Sequence, residues 1–158
     1  MSGIYMDENK KYQIDLTAAS WSTGRLHDLY KTIGNELSDV DWIAETDSEV
    51  FLIEYKNTSF AGKNDKNKFY TKMWKKYYGS TFFMLSRKNK KPINFVCIVE
   101  PAIMDSVQRK RATASIKKRL PYVLQNDSDI FVPLINDCYI LSIKEWNSKY
   151  PNFPLKLL

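Results

Sequence analysis

Residues 40–56 read Val-Asp-Trp-Ile-Ala-Glu-Thr-Asp-Ser-Glu-Val-Phe-Leu-Ile-Glu-Tyr-Lys. Two largely apolar stretches flank Asp47 and Ser48, whose side chains form turns. The second stretch, 49–56, is rich in aromatic and β-branched residues, as strands are. The segment therefore predicts a β-hairpin. A two-residue loop pairs Thr46 with Glu49 and sets Asp41 directly opposite Glu54. A four-residue loop keeps that pairing, whereas a three-residue loop turns one strand's side chains to the other face. Opposed residues have Cβ atoms about 4.5–5.5 Å apart. Two carboxylates there repel unless a cation or a proton joins them. Lys56 lies two residues beyond Glu54, on the same face of the strand. Two facing carboxylates beside an ammonium suit a hard divalent cation. The same residues also read as ordinary charges on the wet face of a hairpin.

Charge is distributed unevenly around this hairpin. The chain carries 24 Lys and Arg against 18 Asp and Glu, a net +6. Residues 56–119 hold 17 of the bases and three acids, and the remainder is net negative. Between Lys31 and Lys56 there are seven acids and no base. An acidic centre beside a basic surface suits a metal site next to a polyanion, because basic surfaces bind nucleic acid by neutralising phosphates. A solvated basic surface, or one facing an acidic membrane, is the plainer alternative.

The length of 158 residues suits one domain, 1–158, with a real core. No apolar run approaches the roughly 18 residues that span a bilayer. The first ten residues lack the form of a signal peptide. Cys97 and Cys138 sit in apolar runs and read as buried reduced thiols, which predicts a cytoplasmic location. His27 is the only histidine. It reads as a surface or capping side chain.

The pattern along the chain predicts an α/β fold, a mixed central sheet flanked by helices. Residues 1–10 are expected to fray, and 12–17 to form a first strand. A helix is expected over 23–37, with Leu26, Leu29, Tyr30, Ile33 and Leu37 at helical spacing. After the hairpin, 57–68 reads as a polar loop and 67–79 as a helix. Phe69, Tyr70, Met73, Trp74, Tyr77 and Tyr78 form its apolar stripe, and Lys68, Lys72, Lys75 and Lys76 fall largely elsewhere. Gly79 is expected to end that helix. Strands follow at 81–85 and 93–99, the latter closed by Glu100-Pro101. A helix over 102–120 carries Arg109, Lys110 and Arg111 on a face overlapping that of Lys117, Lys118 and Arg119. Strands are expected at 130–135 and 138–143, then a helix at 144–150 and an extended tail. The lysines and arginines of both helices read as phosphate contacts or as solvated charges.

An Asp, a hairpin's length of chain, then Glu-x-Lys at the end of an apolar strand resembles the core motif of the PD-(D/E)xK nuclease superfamily. The segments Ser38-Asp39-Val40-Asp41-Trp42-Ile43 and Phe51-Leu52-Ile53-Glu54-Tyr55-Lys56-Asn57 carry the resemblance. More narrowly, Asp15-Leu16-Thr17 and the tail from Trp146 to Pro154 resemble small bacterial proteins of that superfamily. Val40 stands where the motif has proline, and the Gln-x-x-x-Tyr helix of RecB-like members is missing after Lys56. The resemblance implies a metal-dependent nuclease, with DNA the expected substrate and Mg²⁺ or Mn²⁺ the cofactor. Asp41 and Glu54 would bind the ion with the Tyr55 carbonyl, and Lys56 would serve the attacking water. A helical acid often joins such sites, which makes Glu36 a candidate third carboxylate or else a solvated helix residue. A homodimer or a restraining partner protein would fit so small a nuclease. A binding module that keeps the fold without cleaving, and a purely structural subunit, are the alternatives from other classes.

Overall fold

Asp47 and Ser48 are exposed at the tip of a hairpin in the computed structural model, which describes residues 3–57, 63–100 and 102–158. The Thr46 N–H donates to the Glu49 carbonyl at 2.8 Å, and the Glu49 N–H to Thr46 Oγ1 at 3.0 Å. This tight turn sets the expected register: Glu45 pairs with Val50 and Trp42 with Ile53. Asp41 and Glu54 stand at the next step of that ladder.

The chain runs β1 (Ile4–Met6), β2 (Tyr12–Asp15), β3 (Trp21–Thr23), α1 (Leu26–Tyr30), β4 (Trp42–Glu45) and β5 (Val50–Lys56). Then follow α2 (Lys63–Ser86), β6 (Ile93–Val99), α3 (Ser106–Lys117), β7 (Cys138–Ser142), α4 (Ile143–Lys149) and β8 (Leu155–Leu157). The fold is α/β. A five-stranded sheet of order β3-β4-β5-β6-β7 is antiparallel up to β5 and parallel from β5 to β7. Parallel neighbours need crossover connections, and α2 and α3 supply them. A second sheet, β1-β2-β8, is antiparallel throughout.

The large sheet is covered on both faces. On one side, Ile43, Leu52 and Phe95 pack with Met73 and Tyr77 of α2 and Ile116 of α3. On the other, Trp42, Phe51, Ile53 and Val96 pack with Ile14 and Leu155 of the small sheet and Trp146 of α4. Burial on both faces explains why β5 and β6 read as unbroken apolar runs rather than as alternation. Cys97 and Cys138 are free and buried, and burial pushes the Cys138 thiol up to about 12. Among the described residues no helix is long and apolar enough to cross a membrane.

Several elements differ from the sequence expectation. The helix expected over 23–37 is the single turn of α1 plus a 3₁₀ turn, Lys31–Ile33, closed by Gly34 at φ 67°. Residues 81–85, expected as a strand, continue α2 through Gly79. Gly79 is there for a close approach: a Cβ would collide with the Ser38 carbonyl oxygen. Residues 130–135 form no strand, which suits Pro133 in their middle. The helix expected at 102–120 is the shorter α3. Ile4–Met6, expected to fray, is held against β2, and the tail is paired as β8. Of the polar loop expected at 57–68, residues 58–62 lie outside the described residues, as does Pro101.

Candidate metal and phosphodiester site

Register alternation decides which side chains meet. In β4, Ile43 points to the α2 face, and so does Asp41 two residues earlier. In β5, Leu52, Glu54 and Lys56 share that face. The apolar core on this side thus ends in a pair of acids. A cavity of about 620 Å³ opens there. Asp41, Glu54, Tyr55 and Lys56 all line it.

The segment before β4 is fixed against α2. Ser38 abuts Gly79, the Val40 N–H donates to Ser80 Oγ at 2.9 Å, and the Tyr30 hydroxyl donates to the Gly79 carbonyl. Asp41 is therefore delivered at a defined height. Its Oδ2 accepts from the Tyr55 N–H at 2.8 Å, while Oδ1 has no hydrogen-bond partner among the described residues. Glu54 is 5% exposed. Lys76 of α2 reaches both of its oxygens, Oε1 at 2.9 Å and Oε2 at 3.0 Å, and also donates to the Asp39 carbonyl at 3.0 Å. Lys56 is half-buried and forms no salt bridge among the described residues.

Among the described residues the site lacks positive charge for its acids. The cavity is lined by Asp7, Glu8, Asp28, Asp39, Asp41 and Glu54 against Lys56 and Lys76. Burial, then Asp41, push the Glu54 carboxyl up to about 8 although Lys76 works the other way. Burial likewise raises Asp41, with Lys76 and the Tyr55 N–H offsetting part of the effect. Burial pulls Lys76 down, but Glu54, Asp41 and Asp39 more than offset it, so its ammonium is held.

A hard divalent cation fits the donors present. Mg²⁺ characteristically takes one or two carboxylates and fills its shell with water and phosphate oxygens. Asp41 Oδ1 and Glu54 offer two carboxylates in one buried place whose affinity for protons is already raised. A richer cage is lacking: among the described residues no cluster of three His, Cys, Asp or Glu residues is set to hold a metal. Glu36 does not supply the third. It lies beyond the short α1, exposed, while its neighbours Asn35 and Leu37 line the cavity.

The basic residues divide into two groups. Lys68, Lys72, Lys75, Lys110, Arg111, Lys117 and Lys118 are exposed, as phosphate contacts require. Lys76 is instead committed to Glu54. Arg109 is buried and forks onto Glu145, with Nη2–Oε1 at 2.6 Å and Nε–Oε2 at 3.2 Å. Both corrections have one signal, since each base sits on the buried stripe of its helix. Lys76 lies between Met73, Tyr77 and Ser80, and Arg109 stands three residues before Ala112 and seven before Ile116.

Asp39 and His27 complete the cavity, and sequence reasoning gave neither a role there. His27 Nδ1 lies 3.2 Å from Asp39 Oδ1. No residue-level signal pointed to this contact, because His27 and Asp39 are twelve positions apart across an irregular segment. Comparison with protein-family models, with curated proteins and with solved structures found no match.

Proposed function

We propose that this chain is a metal-dependent nuclease on a PD-(D/E)xK core, hydrolysing phosphodiester bonds of nucleic acid, with DNA the expected substrate. One observation carries the reading: Asp41, directly before β4, and Glu54 of β5 line one acid-lined cavity, with Lys56 beside them. The helix–hairpin–helix–strand order and the mixed sheet agree with that core.

Asp41 and Glu54 would hold the ion, with the Tyr55 carbonyl beside them. A bound Mg²⁺ or Mn²⁺ supplies a more acidic water and positive charge against the phosphate. Lys76 donates to both Glu54 oxygens. Lys56, which forms no salt bridge among the described residues, orients the attacking water and offsets charge growing on phosphorus. The exposed lysines and arginines of α2 and α3 hold the polyanion by phosphate neutralisation. Six acids in the cavity would repel a phosphate from metal-free protein, so the reading requires strict metal dependence.

The test incubates the protein with supercoiled plasmid, linear duplex, single-stranded DNA and RNA, in EDTA, Mg²⁺ or Mn²⁺, beside Lys56→Ala. The expected result is metal-dependent cleavage that falls by roughly 10²–10³-fold in the variant. A second reading has its own observation. Lys76 already places a cation on both Glu54 oxygens, as a non-catalytic nucleic-acid- or protein-binding module would need in place of a metal. Salt-sensitive binding in EDTA with no cleavage under any metal would select that reading.

A further inference from the structure

The His27–Asp39 pair is unlike an ordinary surface ion pair. Such pairs join two mobile side chains and are worth little. Here the acid is fixed and the imidazole is accessible: the Asp39 side chain is 14% exposed and that of His27 61%. Asp39 lies in the 38–41 segment that α2 clamps, two residues before Asp41. Its carbonyl accepts from the same Lys76 ammonium that holds Glu54. His27 follows Leu26 in α1, whose Leu26 and Tyr30 are buried in the core. The imidazole is therefore mounted on the same rigid frame as the carboxylate pair and opens into the same cavity.

We infer that His27, positioned by Asp39, is the proton donor to the leaving oxygen of the phosphodiester. This rests on the nuclease reading above. Asp39 engages Nδ1 and leaves Nε2 as the nitrogen open to a ligand, the arrangement by which a carboxylate orients a catalytic imidazole. In the step, the water oxygen forms a bond to phosphorus and its proton passes to solvent. The bond from phosphorus to the leaving oxygen breaks, and the electron pair stays on that oxygen. The oxygen takes the proton from Nε2, and the neutral imidazole regains one from solvent. The charged groups around it are Asp28 on α1, Asp39 and Asp41 from the clamped segment, and Asp7 and Glu8 from the β1–β2 turn. Glu54, Lys56 and Lys76 face it from β5 and α2. Of the two lysines, Lys76 is committed to Glu54 and the Asp39 carbonyl, and Lys56 flanks the carboxylate pair.

The test compares wild type, His27→Asn, Asp39→Asn and Lys56→Ala on two duplexes. One is ordinary DNA. The other carries a bridging sulfur at the scissile position, which leaves without needing a proton. His27→Asn is expected to lose roughly 100-fold on ordinary DNA but less than about 3-fold on the sulfur-linked duplex. Asp39→Asn, a positioning change, should show a smaller loss with the same rescue. Equal losses on both duplexes, or wild-type rates on both, overturn the inference. If wild type cuts and Lys56→Ala does not, the nuclease reading stands whichever way His27 falls. If wild type cuts neither duplex under any metal, both readings fall together.

Discussion

Lys76 on α2 and Arg109 on α3 are two bases on buried helix stripes, each paired with an acid, and the two pairs behave oppositely. Arg109 forks onto both oxygens of Glu145 and gives a further N–H to the Met104 carbonyl at 2.9 Å. Glu145 also accepts from the Ser142 N–H that it caps, at 3.0 Å. Its carboxyl is held below the usual range, first by the Arg109 hydrogen bond. Glu54 has a lysine on both oxygens as well, yet its carboxyl is pushed up. The difference lies in surroundings. Glu145 is near solvent, with one acid for one guanidinium. Glu54 is buried and shares one ammonium with Asp41. The first pair is electrostatically complete and joins α3 to α4. The second is short of positive charge, and a place short of positive charge is one that a cation can occupy.

The largest effect that separates the two regions is at Gly79. Gly79→Ala puts a methyl group into the Ser38 carbonyl, where the clamped segment meets α2. Helix propensity alone would favour the alanine by about 1 kcal/mol. Overpacking against backbone is expected to outweigh it and leave a net loss of about 2 kcal/mol. The damage should be local. Denaturant unfolding gives the stability loss, and divalent-ion binding by calorimetry should weaken with it, because Asp39 and Asp41 shift together. A variant as stable as wild type would show that the clamp does not set the height of Asp41.

Substitution of the two acids gives the next contrast. Glu145→Gln removes the charge beside a buried guanidinium. It should cost about 2 kcal/mol, or roughly 6 °C in melting temperature, without touching ion binding. Glu54→Gln keeps the shape and one of the two hydrogen bonds from Lys76 but removes a buried charge facing Asp41. In EDTA near pH 8 it should be as stable as wild type or more so, while ion binding is lost. Thermal melts in EDTA and in Mg²⁺ measure both. If Glu54→Gln destabilises the metal-free protein as much as Glu145→Gln does, then Glu54–Lys76 is simply a second structural latch.

The hairpin half of the site was legible in the sequence because turn chemistry is local. The two-residue loop at Asp47-Ser48, closed by Thr46 and Glu49, sets the register down to Trp42 with Ile53, next to Asp41 and Glu54. The apolar runs at 50–56 and 93–99 were legible for a similar reason, being long enough to name themselves. What failed depended on distant chain. Residues 81–85 have strand composition, but Tyr77, Ser80 and Met84 keep the helical spacing of Met73. Gly79 looked like a terminator because its real partner, Ser38, is 41 positions away in an irregular segment. The three-residue strands β1, β3 and β8 carry too little pattern of their own and exist through pairing such as Ile14 with Leu155. Lys76 was grouped with its solvated neighbours although its spacing from Met73 and Ser80 marked the buried face.

The smallest expected effect is a slope against pH, and the two acids should tilt it in opposite directions. Glu54 has its folded carboxyl raised to about 8 from an ordinary 4.5. The fold thus favours its protonated form. That contribution is fully present below the ordinary value and is lost as pH rises through about 8. Glu145 has its carboxyl lowered, so its contribution is present above the ordinary carboxylate range and is lost as pH falls through the folded value. Lys76, held above its ordinary value, keeps its contribution across this whole window. Urea unfolding in EDTA from pH 4 to 9 should therefore show wild type declining relative to Glu54→Gln between about pH 5 and 8. Against Glu145→Gln, wild type should lose its advantage only at the acid end. Mg²⁺ should flatten the first slope and leave the second alone, because the ion supplies the charge that Glu54 and Asp41 lack and that Arg109 already provides to Glu145. A Glu54 slope that persists unchanged in saturating Mg²⁺ would mean that the ion sits elsewhere.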